Sequence, residues 1–172
     1  VVAEFHIGLE HELYQRGIVI QPQAEKFLQI LLKLLKETGA KTLVIIGDLK
    51  HEVPGISFRE IREIPKFLSA LSKKTNVIFC KGNHDTGLEG LIPEKIKVYE
   101  SGGCRIGKYG FFHGHAWPAK ELIECDFLFM AHLQPGIEFR DKFGFRLVEQ
   151  VWVRGKFDKL LVKKKYKTKN KI

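Results

Sequence analysis

Val77-Ile78-Phe79-Cys80 running into Lys81-Gly82-Asn83-His84-Asp85 is an apolar stretch that breaks at a glycine and then presents three side chains able to bind a metal or move a proton. Four apolar residues bounded by a glycine suit a buried strand followed by a loop. The same signal occurs upstream, where Leu43-Val44-Ile45-Ile46 runs into Gly47-Asp48. Two buried strands that each deliver a polar loop describe an open α/β sheet, whose chemistry sits in the crevice outside the carboxyl ends of its strands.

Outward from those strands, Phe27, Leu28, Leu31, Leu32 and Leu35 recur at helical spacing, predicting an amphipathic helix over 24–37 that Gly39 ends. Ser57-x-x-Glu60 has the form of a capping box and opens a second helix, with Phe58, Ile61, Ile64, Leu68 and Leu71 on one face. Pro65 lies inside it and is expected to kink it. Further strands are expected at 96–99, 105–106, 109–112 and 126–131. Lys142-Phe143-Gly144-Phe145 and residues 147–153 then form a closing antiparallel pair. The chain has no internal repeat and no Pro/Ser-rich linker, so alternating β and α followed by a strand-rich half predicts one layered α/β sandwich.

A length of 172 residues with 44% hydrophobic content fits one globular domain with a sizeable core, which we assign to residues 1–162. The formal charge is +9, but six lysines fall within 163–171, leaving +3 for residues 1–162. Residues 163–172 therefore read as a basic, solvated and disordered tail, although such a run also grips phosphates. Cys80, Cys104 and Cys125 are odd in number and have no Cys-x-x-Cys spacing, so they read as buried thiols rather than disulfides or a zinc ribbon. With no apolar run of membrane length and no leader pattern, the expectation is a soluble, cytoplasmic protein with no membrane partner. The chain opens at Val1-Val2 and its one methionine is Met130, which predicts either a processed N-terminus or a fragment beginning inside its first strand.

Of the seven histidines, His6, His51, His84, His113 and His132 all fall near the end of an expected strand. Each alone is most simply a core or surface histidine. With Asp48 and Asn83 they form a mixed nitrogen and oxygen donor set, suited to manganese, iron, nickel or zinc more than to calcium or magnesium.

The order Glu4-x-His6, Gly47-Asp48, Gly82-Asn83-His84-Asp85, His113-Gly114-His115 and Ala131-His132-x-Gln134-Pro135 resembles the calcineurin-like metallophosphoesterases. In its compact form without a cap it is similar to archaeal and bacterial phosphoesterases related to a repair-nuclease subunit. The resemblance implies a four-layered αββα sandwich with two divalent transition-metal ions, manganese favoured, bridged by Asp48. It implies one ion at Glu4, His6, Asp48 and Gln134, and the other at Asp48, Asn83, His113 and His132. His84 would contact the phosphate or protonate the leaving oxygen, and Asp85 would orient its imidazole. His51 and His115 would stand behind the ligands or against the substrate.

The resemblance implies hydrolysis of a phosphoester, and two dications balance Glu4, Asp48, a hydroxide and a singly charged diester, which favours diesters over monoesters. Glu4 stands where the family has Asp, and Gln134 where it has His. Both changes fall on one ion, which is expected to bind more weakly than its neighbour. Two alternatives accompany this reading. One is a binding module or scaffold of the same fold that has lost hydrolysis. The other is a nuclease acting on DNA or RNA, with a nucleotide or nucleic acid as partner and the lysine tail as a grip that lacks register.

Overall fold

The computed structural model describes residues 1–167 and divides the chain into two units, Val1–His132 and Leu133–Ile172. The first unit runs α1 (Leu9–Gln15), α2 (Ala24–Thr38), β1 (Thr42–Ile46), α3 (Phe58–Ser72), β2 (Asn76–Cys80), β3 (Lys97–Tyr99), β4 (Cys104–Ile106), β5 (Tyr109–Phe111), a 3-10 turn over Lys120–Glu124, and β6 (Phe127–Phe129). Strands β1, β2 and β3 are parallel neighbours in that order, with Ile46 opposite Cys80. Val2 and Ile7 bridge in parallel to Ile45 and Lys50, so the first residues flank β1 on its other side.

The unbroken apolar runs of β1 and β2 follow from burial of both faces of this sheet. Leu43, Ile45, Val77 and Phe79 face a core shared with Leu31 of α2 and Ile64, Phe67, Leu68 and Leu71 of α3. The alternate residues, Val44, Ile46, Ile78 and Cys80, face a second core with Cys104, Ile106, Phe111 and Phe129, as the two-residue period of a strand requires. Those partners belong to the second sheet, ordered β4-β5-β6. Its far side is closed by the 3-10 turn, whose Leu122 would lie 3.2 Å from a Cβ at Gly110. Helices, sheet, sheet and this thin outer turn are the layers of the expected α/β sandwich.

Helix α2 stops at Gly39 (φ 64), whose N–H reaches the Leu35 carbonyl. Helix α3 starts with the expected capping box between Ser57 and Glu60 and continues through Pro65. Its buried stripe is Glu60, Ile64, Phe67, Leu68 and Leu71, which corrects the predicted face. Phe58 is two residues, roughly 200° around the helix, from Glu60 and is 92% exposed.

In the second unit, β7 (Gly136–Arg140) pairs antiparallel with β8 (Arg146–Gln150), and α4 covers Lys159–Tyr166. Here too the sequence reading needs correction, because Lys142-Phe143-Gly144-Phe145 is the turn and not a strand. Asp141 accepts from the N–H groups of Phe143 (2.8 Å) and Phe145 (2.9 Å), and Gly144 takes φ 90. Helix α4, capped by Asp158, takes in the start of the expected tail, and residues 168–172 of that tail lie outside the described residues. No helix among the described residues is long and apolar enough to cross a membrane.

Candidate metal centre

The loops leaving β1 and β2 approach closely because each carries a glycine near its start, Gly47 directly after β1 and Gly82 two residues after β2. A Cβ at Gly47 would fall 2.2 Å from His113 Nδ1, and one at Gly82 would fall 2.2 Å from Asp48 Oδ1. The buried Asp85 carboxylate locks the approach by accepting from the N–H groups of Asp48 (2.7 Å), Leu49 (2.8 Å), Lys50 (3.2 Å) and Gly82 (2.7 Å). The role expected for Asp85 is therefore corrected. It ties two loops together, while the His84 imidazole takes the carbonyl of His51 as its Nδ1 partner at 2.6 Å.

Asp48, 2% exposed, stands at the middle of the cluster. Its Oδ2 lies 3.3 Å from His113 Nε2, 3.8 Å from His6 Nε2 and 4.0 Å from His84 Nε2, and its Oδ1 accepts from the His84 N–H at 3.1 Å. His113 Nε2 also lies 3.2 Å from Asn83 Oδ1. Glu4 Oε2 is 3.2 Å from His6 Nε2, and Glu4 Oε1 accepts from the His132 N–H at 2.8 Å. Three sets of donor atoms, each with its atoms within 4.8 Å of one another, could hold an ion among the described residues: Glu4, His6 and Asp48; Asp48, His113 and His132; and His6, His51 and His84.

The donor chemistry fits a cation. His113 Nδ1 donates to the Ile46 carbonyl at 2.9 Å, so a neutral His113 turns a bare Nε2 lone pair toward the oxygens of Asp48 and Asn83. Three acceptors facing one point require a second proton or a metal ion between them. Electrostatics carries the same demand. Burial pushes His113 toward neutrality, yet its hydrogen bonds to Asp48 and the Ile46 carbonyl hold its pKa above the ordinary value. Burial likewise opposes ionisation of Asp48, but His113 and the His84 N–H outweigh it and hold that carboxyl at about 2. The Glu4 hydrogen bond outweighs burial to raise His6.

Backbone conformation marks the same residues. Glu4 (φ 59), His6 (φ 44), Asp48 (φ 52), His132 (φ 63) and Gln134 (φ 42) are left-handed, and Lys167 is the sole further non-glycine example among the described residues. Such conformations cost on the order of 1 kcal/mol each and gather at functional sites. Gln134 falls in the second unit.

His51 and His84 rings stack at 5.8 Å, each close to His6 at 5.4 and 4.8 Å. His115 lies 5.3 Å from His113 and 6.1 Å from His132, and burial lowers its pKa. The capping box contributes as well. Glu60, fully buried, accepts from the N–H groups of His51 and Glu52 at 2.8 Å each, so the start of α3 holds the loop that carries His51. Sequence reasoning missed Glu12 on α1, whose Oε2 meets His51 Nε2 at 2.5 Å.

The family model for the calcineurin-like phosphoesterases matches residues 6–170. Among solved structures, the fold is similar to the crystal structure of Pseudomonas putida nuclease MPE, with a TM-score of 0.53 and 21% identity over 85% of this chain. The chain spans 66% of the length of that protein. We found no significant match among curated protein sequences.

Proposed function

The chain belongs to the calcineurin-like phosphoesterase family, and from that premise we propose that it hydrolyses phosphodiester bonds with the help of two divalent transition-metal ions, manganese foremost. Glu4, His6 and Asp48 would hold one ion, and Asp48, Asn83, His113 and His132 the other. When bound, such ions would supply the Lewis acidity that polarises a phosphoryl oxygen and acidifies an attacking water. The observation that carries this reading is Asp48 Oδ2, with three imidazole Nε2 atoms within 4.0 Å of it.

The remaining chemistry falls to the chain's own groups. His84 donates its Nδ1 proton to the His51 carbonyl, which fixes the ring and leaves Nε2 to face the substrate. A proton carried there would go to the leaving oxygen. His51 lies beside His6 and His84, and His115 beside His113 and His132, where they would meet the substrate or support the ligands. The protein of similar fold is a nuclease, and Lys163, Lys164 and Lys165 in the last turn of α4 supply cations suited to phosphates. These observations favour nucleic acid as the narrower substrate reading, and deleting residues 163–172 should then remove salt-sensitive nucleic-acid affinity.

The experiment is hydrolysis of a chromogenic phosphodiester and its monoester counterpart, first with chelator and then with manganese. Diester cleavage that needs metal should disappear in Asp48→Asn together with metal binding. It should fall about 10²- to 10⁴-fold in His84→Ala with metal binding kept. Folded protein that hydrolyses neither ester with any divalent metal would overturn the reading in favour of a binding module.

A further inference from the structure

His51 is fixed from three directions. Its N–H lies between the Ile7 carbonyl at 3.0 Å and Glu60 Oε1 at 2.8 Å, and its carbonyl takes the Nδ1 proton of His84 at 2.6 Å. The third hold is on the side chain. Glu12 splits its carboxylate, Oε1 to Arg16 at 2.5 Å and Oε2 to His51 Nε2 at 2.5 Å. His51 Nδ1 is meanwhile buried and has no hydrogen-bond partner among the described residues. One nitrogen from each of His6, His51 and His84 lies within 4.8 Å of the others.

We infer that Glu12 is a positioning residue of this site, which by accepting the Nε2 proton of His51 leaves the Nδ1 lone pair as a hydrogen-bond acceptor beside His84. A carboxylate on one imidazole nitrogen decides which nitrogen carries the proton and how the ring is turned. Arg16 on the other oxygen keeps the carboxylate from rotating away. Helix α1 thereby reaches the centre through one side chain, and His51 joins it to His84 through its own backbone. The acceptor would meet a hydroxyl of the substrate or the attacking water. That last clause rests on the proposed phosphoesterase reading, whereas the proton's place on the ring does not.

The test reads the ring first. In metal-free protein with 15N-labelled histidine, nitrogen-proton correlation spectra should show His51 carrying its proton on Nε2. Glu12→Ala should give a mixture of tautomers, and Glu12→Gln, whose amide oxygen still accepts, should keep the Nε2 form. In manganese-loaded protein, Glu12→Ala should lower kcat about tenfold to a hundredfold with KM and metal stoichiometry unchanged, and Glu12→Gln should recover most of it. In a His51→Ala background, Glu12→Ala should cost nothing further, since it acts through a ring no longer present. A proton on Nδ1 in the unmutated protein overturns the inference, as do losses that add across the two positions. If the protein hydrolyses no ester, the phosphoesterase reading fails and the spectrum alone still decides the role of Glu12.

Discussion

The two halves of the candidate centre are built differently. The half around His113 is held by the sheet itself: the ring is fully buried, its Nδ1 is fixed by the last carbonyl of β1, and Gly47 leaves room for it. The half around His6 is held largely by other ligands. The Glu4 and His6 side chains are nearly a fifth exposed, and each takes the other as partner, while His6 Nδ1 is buried without one among the described residues. A ligand seated by a strand carbonyl keeps its place in the absence of a cation. A ligand seated by another ligand relies on the cation to keep both there.

Asp48 serves both halves, so its removal is the hardest test of the distinction. Asp48→Ala should reduce metal binding and hydrolysis together to background in calorimetric titration and ester assays. Retention of one full metal equivalent would mean that the halves are independent.

The next largest effect separates them. Glu4→Gln should weaken one class of metal about 10- to 100-fold and spare the other, while Asn83→Ala should do the reverse. In the unmutated protein the class sensitive to Glu4 should be the weaker. Two ions of equal, tight affinity would erase the contrast.

Stability isolates the sheet-borne half. Asp85→Asn replaces an acceptor of four backbone N–H groups with a group that also donates, at a cost of about 1–3 kcal/mol. For a chain of this length that is a fall of roughly 2–4 °C in Tm per kcal/mol, readable by thermal melting. An unchanged Tm would show that the loops are joined by something other than this carboxylate.

The smallest effect is on acid stability of the metal-free protein. Asp48 is depressed from 3.8 to about 2, so its contribution is present above the higher value and is lost as pH falls toward the lower. The difference is roughly 2 kcal/mol. Denaturant melts between pH 5 and 2 should show this loss, and Asp48→Asn should flatten it.

Much of this architecture was legible in the sequence because Leu43 to Ile46 and Val77 to Cys80 are apolar on both faces, which only a covered strand requires. The glycines after them were legible for the same physical reason, since the loops they open must touch. Helix α1 was not, because it is seven residues long and its buried residue is Glu10, which spends its carboxylate on the N–H groups of Gly8 and Gln23. Asp85 was misread through its adjacency to His84, when its partners lie up to 37 residues away. Glu12 and His51, 39 residues apart, likewise left no local trace. In the second unit, the alternation of Ile137 and Phe139 with Glu138 and Arg140 was the strand signal, and the aromatics of the following turn drew attention from it.

The register of β1 and β2 has a further consequence. Asp48 and Asn83 leave neighbouring strands two and three residues past the opposed pair Ile46 and Cys80, across backbones spaced about 4.8 Å apart. Their separation is thus ruled off by a hydrogen-bond ladder and not by side-chain length. Exchanging either side chain would change which donor atom is offered, but the spacing at which the two are offered is cut into the main chain.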